Sequence, residues 1–137
     1  MKHEWRKHEK ALYGAGKTPE LLDVPAQKFI VISGRGDPNG EDFSARISAL
    51  YPLAYALRSI FKARDEVRFE TMTDGRCVQM LHTGSYDGEP ASFALMADFA
   101  AANGLERAGE RHREIYLNNA QRTEPDKLKT ILRFSVR

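Results

Sequence analysis

Three side chains between residues 112 and 117 have the types and the spacing for acid–base or ligand-binding chemistry: His112, Glu114 and Tyr116. The segment is typical of a β-strand, in which successive side chains point to opposite faces. An imidazole, a carboxylate and a phenol then share one face, while Arg113 shares the other with two apolar residues. Since burying an unpartnered charge is costly, a covered Glu114 needs water, a cation or a ligand. It could bind a cationic or polarised small molecule, or orient a water. The alternative is an edge strand whose polar face is hydrated, as antiparallel sheets allow.

The composition predicts one globular domain with no nucleic-acid partner. The chain has 137 residues, of which 42% are hydrophobic and 29% charged, and this is enough for a single domain with a substantial core. The net charge of +2 comes from 21 basic and 19 acidic residues, which leaves no nucleic-acid footprint. Residues 2–10 are locally basic, but glutamates interrupt the run, so we interpret it as an exposed, amphipathic lead-in.

Cysteine usage and hydropathy predict a cytoplasmic protein. Cys77 is the only cysteine, so no internal disulfide can form and a reducing compartment fits best. No run of about 18 apolar residues could span a membrane, and no charged segment followed by an apolar one marks a signal peptide. His82 has no second histidine or cysteine at a ligand spacing, so we expect no metal site, and no motif implies a cofactor.

The first half of the chain predicts a strand and then a long helix. Residues 28–33 are rich in β-branched and aromatic side chains, as strands prefer. The glycine-rich loop that follows is a weak match to a phosphate-binding loop, because no Gly-Lys-Ser/Thr follows it. Apolar residues recur at helical spacing over residues 41–62, and Pro52 should kink this helix or split it at Tyr51. Tyr51 and Tyr55 are one turn apart and either reach over a neighbouring cavity or pack in the core.

The second half predicts a hairpin, a helix and two more strands. An Asp-Gly pair between two strand-like runs is a strong hairpin signal. Asp87 is suited to an N-cap, with Pro90 in the first turn. The order strand, helix, strand, strand suggests a weak internal duplication, because the first half begins in the same way. The predicted elements are strands at 67–72 and 77–83, a helix ending at Asn103-Gly104, and strands at 112–117 and 128–136.

Four segments of the chain resemble the GyrI-like small-molecule-binding proteins. They are similar to a stand-alone branch of that family, which is associated with hydrolysis of cyclopropane-bearing DNA-alkylating natural products. The resemblance covers nearly the whole chain, with the segments in the right order. These segments are residues 1–10, 51–56, 78–90 and 112–117.

The resemblance implies an α+β fold with an antiparallel sheet and helices on one face. Residues 1–137 would form one domain of two strand–helix–strand–strand modules, the first over 1–63 and the second over 64–137, with a ligand groove between them. Glu114 and Tyr116 would face the groove as the catalytic residues. The further ligand-binding residues implied are Tyr51, Tyr55, Met80, His82, Tyr86 and His112.

One departure from the family pattern lies at residues 62–65. Family members have a longer segment here, which supplies further strands and an aromatic-rich stretch that includes tryptophan, whereas Trp5 is the only tryptophan of this chain. The first module is therefore expected to be incomplete. Since an unpaired sheet edge recruits another chain, we predict a homodimer.

Three functions are compatible with this resemblance. The first is hydrolysis of a hydrophobic, aromatic electrophile, in which Glu114 orients or deprotonates a water. A carboxylate in an apolar groove tends toward a raised pKa, which suits a base near neutral pH. The second is non-catalytic binding or sequestration of a cationic lipophilic compound, and the third is binding of a protein partner, as in gyrase-inhibitor-like proteins. No helix-turn-helix segment is evident, which argues against a regulator.

Overall fold

The computed structural model describes residues 4–37, 39–56 and 67–137. They belong to two compact units, here called the major unit (Met1–Pro25 and Thr73–Arg137) and the minor unit (Ala26–Met72). The α+β class with antiparallel sheets is confirmed, because each unit contains an antiparallel sheet and at least one helix.

The major unit contains a four-stranded sheet in the order β1-β4-β6-β5. Its strands are β1 (Glu20–Val24), β4 (Gly75–Thr83), β5 (Arg113–Tyr116) and β6 (Lys129–Ser135). Its helices are α1 (Trp5–His8), α2 (Lys10–Tyr13) and α4 (Glu89–Ala102), with 3-10 turns at Tyr86–Gly88 and Pro125–Lys127.

The minor unit pairs β2 (Gln27–Ile32) with β3 (Val67–Met72) and contains α3 (Glu41–Ala56). Arg46 of α3 donates to the carbonyl oxygen of Ser33 at 2.6 Å, and Arg68 of β3 donates to the Ser33 hydroxyl at 2.6 Å. A side chain at Gly34 would come within 2.8 Å of Arg46 Cδ, so glycine lets this arginine reach the end of β2. Helix α3 continues through Pro52 to Ala56 and is not split at Tyr51; the predicted residues 57–62 lie outside the described part.

The predicted hairpin between β3 and β4 is wrong. Gly75 has the left-handed φ of +66° that an Asp-Gly turn favours, yet the two strands flanking it belong to different sheets. Strand β4 has β1 on one side and β6 on the other, so neither of its edges is open to β3. The reason for the error is β1, whose short sequence at Glu20–Val24 was not recognised as a strand.

Helix α4 covers one face of the major sheet. Its buried residues Glu89, Ser92, Met96 and Ala100 recur at three- and four-residue steps, which is one stripe of a helix. Met96 and Ala100 pack with the core residues Val78, Met80, Leu132, Phe134 and Val136. The N-cap is Gly88 and not Asp87, because residues 86–88 form a 3-10 turn before the helix begins. The predicted end is confirmed, with Gly104 at a φ of +67°.

The opposite face of the sheet contains a buried polar cluster. Arg133 donates to Gln79 Oε1 through Nε at 3.1 Å and Nη2 at 2.9 Å, and Gln79 donates to Glu20 Oε1 at 2.8 Å. Arg133 also donates to the carbonyl oxygen of Leu12, so α2 is tied to this face. Burial lowers the pKa of Arg133.

Candidate functional site

The strand register brings the predicted site residues beneath the start of α4. Glu114 of β5 is opposite Leu132 of β6, which is opposite Met80 of β4. Leu132 and Met80 are core residues packed with α4, so Glu114 points to the helix-covered face. Tyr116, Thr130 and His82 form the next row across the same three strands.

Glu114 is held by hydrogen bonds from the residues two positions before and after it. His112 Nε2 is 2.8 Å from Glu114 Oε1, and the Tyr116 hydroxyl donates to Glu114 Oε2 at 2.6 Å. The Glu114 side chain is 22% exposed, so it is neither fully covered nor fully hydrated. An ionised carboxylate has about four lone-pair sites, which leaves each oxygen able to accept one more hydrogen bond from water or a ligand.

Arg107 fixes the tautomer of His112. Its Nη2 atom lies 3.5 Å from His112 Nδ1 and donates to the carbonyl oxygen of Glu110 at 2.6 Å. A guanidinium can only donate, so Nδ1 is the acceptor and the proton resides on Nε2, facing Glu114. The guanidinium also lies 4.8 Å from the ring centre of Phe134, a cation–π distance.

Aromatic rings pack against the two side chains that hold the carboxylate. The rings of Tyr86 and Tyr116 are 5.6 Å apart, and those of Phe93 and His112 are 4.7 Å apart in an edge-to-face arrangement. Burial, the largest cause, and the hydrogen bond to Glu114 both strongly raise the pKa of Tyr116. Tyr116 is therefore a hydroxyl donor at neutral pH. The pKa of Tyr86 is raised by burial and by the charges of Glu89 and Glu114.

His82 holds the turn that leads into α4. Its Nε2 donates to the carbonyl oxygen of Ser85 at 2.8 Å, and its Nδ1 is 2.8 Å from the Ser92 hydroxyl. Because a carbonyl only accepts, the neutral ring carries its proton on Nε2 and accepts from Ser92. Gly88 passes so close that an added Cβ would lie 3.2 Å from His82 Cε1.

Glu89 is a second carboxyl group at this site. The residue is 7% exposed, and Oε1 has no hydrogen-bond partner among the described residues. Burial, followed by the charge of Glu114, raises the pKa of Glu89 to about 7. A carboxyl with such a pKa exchanges its proton in the neutral range, where an ordinary glutamate is fully ionised.

The structure brings four of the predicted site residues together: His112, Glu114, Tyr116 and Tyr86. Met80 lies in the core cluster and the two ring nitrogens of His82 are engaged in the bonds above. Tyr51 is 64% exposed on the minor unit, and the side chain of Tyr55 lies outside the described part. The assignment of Met80, His82, Tyr51 and Tyr55 as ligand-binding residues stays a prediction.

Sequence reasoning missed Glu89, Phe93 and Arg107. A signal for Glu89 and Phe93 was present, because they are four residues apart on α4; Glu89 belongs to its buried stripe, and Phe93 packs partly buried against the core. Arg107 follows the helix in an irregular segment, where no periodicity predicts its contact with His112. Across residues 4–37, 39–56 and 67–137, histidine, cysteine and acidic side chains form no group of three or more suited to a metal ion.

The class of this α+β protein comes from the family comparison. Residues 54–137, more than half of the chain, match the GyrI-like small molecule binding domain. The chain belongs to the GyrI-like family. A search of curated proteins gives no match.

Solved structures share the fold. An uncharacterized conserved protein from Listeria innocua superposes with a TM-score of 0.88 at 24% identity, over 99% of this chain and 100% of that chain. A hydrolase from Listeria innocua gives 0.87 at 23% identity, over 99% and 100%. The C-terminal domain of EcmrR gives 0.56 at 14% identity, over 88% and 97%. Among the described residues, no helix has the length and apolar character to cross a bilayer.

Proposed function

We propose that this protein binds a hydrophobic, aromatic small molecule beside Glu114 and hydrolyses it, the substrate being a cyclopropane-bearing DNA-alkylating compound. The observation that carries the proposal is the carboxylate of Glu114, held between the imidazole of His112 and the phenol of Tyr116 at 2.8 and 2.6 Å. Destroying such a compound would protect the cell that contains it. The hydrolase from Listeria innocua with the same fold is consistent with this proposal.

Glu114 is suited to orienting a water. Its two strand neighbours fix the carboxylate plane, and each oxygen keeps acceptor capacity for a water proton. A general base must lie within hydrogen-bond reach of the proton that it removes. Tyr116, which stays protonated, holds Oε2 in place through the reaction.

The ring edges of Phe93 and Tyr86 supply apolar surface for the substrate. Aromatic pairs in edge-to-face or stacked contact contribute about 0.5–1.5 kcal/mol beyond burial. A planar, aromatic substrate would gain such contacts, while a small aliphatic electrophile would gain few. This preference supports an aromatic ligand class.

Turnover of a cyclopropane-bearing alkylating compound tests the proposal. The product is the ring-opened alcohol, which has gained one water and is measured by mass spectrometry against a protein-free reaction. Glu114→Gln should abolish the excess product, whereas Glu124→Gln, which changes an exposed carboxylate outside the site, should retain it. Equal rates with and without protein would reject hydrolysis.

Non-catalytic binding of a cationic lipophilic compound is the second candidate. The observation that favours it is the Glu114 carboxylate, which is 22% exposed and lies against the phenol of Tyr116, where a cationic aromatic compound could pair with it. A cationic aromatic dye that binds without chemical change, and more weakly in Glu114→Gln, would favour this candidate over hydrolysis.

We also propose that the chain forms a homodimer in the reducing interior of the cell. The support is the short segment at residues 62–65 relative to the family pattern, together with Cys77, which is buried and free. Sedimentation equilibrium tests the dimer: a monomer at all concentrations would remove it.

A further inference from the structure

Glu89 lies at the start of α4, among residues whose rings contact the hydrogen-bond partners of Glu114. It begins the sheet-facing stripe of α4, and Phe93, one turn later on that stripe, contacts His112 at 4.7 Å. Glu114 and Tyr116 of β5 lie on the face of the sheet that α4 covers. Tyr86, in the turn just before Glu89, has its ring 5.6 Å from the ring of Tyr116, whose hydroxyl is bonded to Glu114.

The burial of Glu89 is unusual for a residue with a purely structural task. It is 7% exposed, and its Oε1 atom has no hydrogen-bond partner in the described part of the chain. An orphaned, buried carboxyl oxygen costs free energy. Such an oxygen is accounted for if it has a partner when a ligand is bound.

The titratable groups that interact with Glu89 electrostatically, or lie beside the residue before it, come from three elements. They are Glu114 and Tyr116 of β5, Tyr86 of the 3-10 turn, and His82 of β4, whose ring abuts Gly88. His82 is committed to Ser92 and Ser85, and the two tyrosines are neutral donors. Burial, and after it the charge of Glu114, raises the pKa of Glu89 and keeps it protonated up to about pH 7.

We propose that Glu89 is the proton donor of this site and Glu114 its proton acceptor, an assignment that rests on the hydrolysis proposed above. Two carboxyl groups whose environments separate their proton affinities divide acid and base roles between them. The buried, orphaned Glu89 is the acid, and Glu114, oriented by His112 and Tyr116, is the base.

The step balances with water as the sole co-reactant. The water oxygen forms a bond to one cyclopropane carbon while a ring C–C bond breaks, and the water proton passes to Glu114. The electron pair of the broken bond goes to the departing carbon or to an electron-withdrawing group conjugated with it. The substrate atom that receives this electron pair takes the proton of Glu89. Proton transfer from Glu114 to Glu89, directly or through solvent, restores both groups.

The test is the pH profile of turnover for the wild type and for Glu89→Gln. Wild-type activity should fall as pH rises through about 7, because Glu89 then loses its proton. Glu89→Gln should lose this alkaline decline and be slower by about 10²–10⁴ below pH 7. Glu89→Asp, which withdraws the carboxyl by one methylene, should keep the decline at an intermediate rate. Glu124→Gln should match the wild type.

A second readout does not depend on activity. Infrared spectra of the wild type near pH 6 should contain a protonated-carboxyl band that Glu89→Gln lacks. In Glu114→Gln this band should be lost at a lower pH than in the wild type as the pH is raised, because the pKa of Glu89 is lower. If the wild type turns over substrate and Glu89→Gln has the same rate and the same pH profile, the assignment of Glu89 is overturned and hydrolysis stands. Absence of wild-type turnover at every pH would overturn both, even if the infrared band were present.

Discussion

Arg113 and Asp74 form a two-bond ion pair across the major unit. Arg113 Nε is 2.7 Å from Asp74 Oδ2, and Nη2 is 2.8 Å from Oδ1. The pair lies on the opposite face of β5 from Glu114, because neighbouring side chains of a strand alternate. Arg113 thereby fastens the strand segment that presents the candidate base.

Asp74→Asn should lower the free energy of unfolding by about 1–3 kcal/mol. The substitution removes the negative charge that pairs with Arg113, whose half-buried guanidinium keeps its positive charge. The exposed Asp126→Asn should change the free energy of unfolding by less than about 0.5 kcal/mol. Urea denaturation measures both. Equal stability of the two variants would show that the ion pair contributes nothing.

The same pair predicts an acid limb of stability. The hydrogen bond from Arg113 holds the pKa of Asp74 below 3.8, so the folded state binds the Asp74 proton less readily than the unfolded state. The contribution is complete above about pH 4 and is lost as pH falls through the folded pKa. Between pH 6 and pH 3 the wild type should therefore lose more stability than Asp74→Asn, as measured by urea titrations at each pH.

Glu89 should make stability change with pH in the opposite direction to Asp74. Its pKa rises from 4.5 to about 7 on folding, so the folded state binds more protons between these values and stability falls as pH rises. Glu89→Gln should be more stable than the wild type by about 1–3 kcal/mol at pH 8, and the difference should vanish near pH 4. A gain of equal size at both pH values would assign the effect to packing.

Periodicity predicted most elements, but not how they pair. The alternation in residues 112–117 correctly placed Glu114 and Tyr116 on one face, because a two-residue period is a local property of the chain. The pairing of β4 depends on β1, which is more than fifty residues earlier. The burial of Glu89 was equally hidden, because the packing of a helix end in the folded protein is not a local property of the chain.

Tyr51→Leu tests the ligand-binding prediction for the minor unit. Because Tyr51 is 64% exposed, the melting temperature should change little, as for most surface substitutions. If the side chain stacks on the ligand, affinity for an aromatic compound should weaken by about 0.5–1.5 kcal/mol, measured by calorimetry. Unchanged affinity would remove Tyr51 from the set of binding residues.

Glu114→Gln is the substitution that separates a functional carboxylate from a structural one. It preserves the shape of the side chain, and the amide oxygen can still accept from His112 Nε2, as Glu114 Oε1 does at 2.8 Å. The bond from Tyr116 to Oε2 is lost or reversed, which costs about 0.5–1.5 kcal/mol, while repulsion of Glu89 is relieved. These opposing changes should leave the urea midpoint nearly unchanged.

Two further measurements complete this prediction. Turnover should fall by about 10²–10⁴ if Glu114 is the general base. The pKa of Glu89 should drop below its value of about 7, because the charge of Glu114 is one of its two causes; ¹³C NMR of labelled glutamate follows this shift. A variant with full turnover and a clearly lowered urea midpoint would show that His112, Glu114 and Tyr116 serve only to hold the strand.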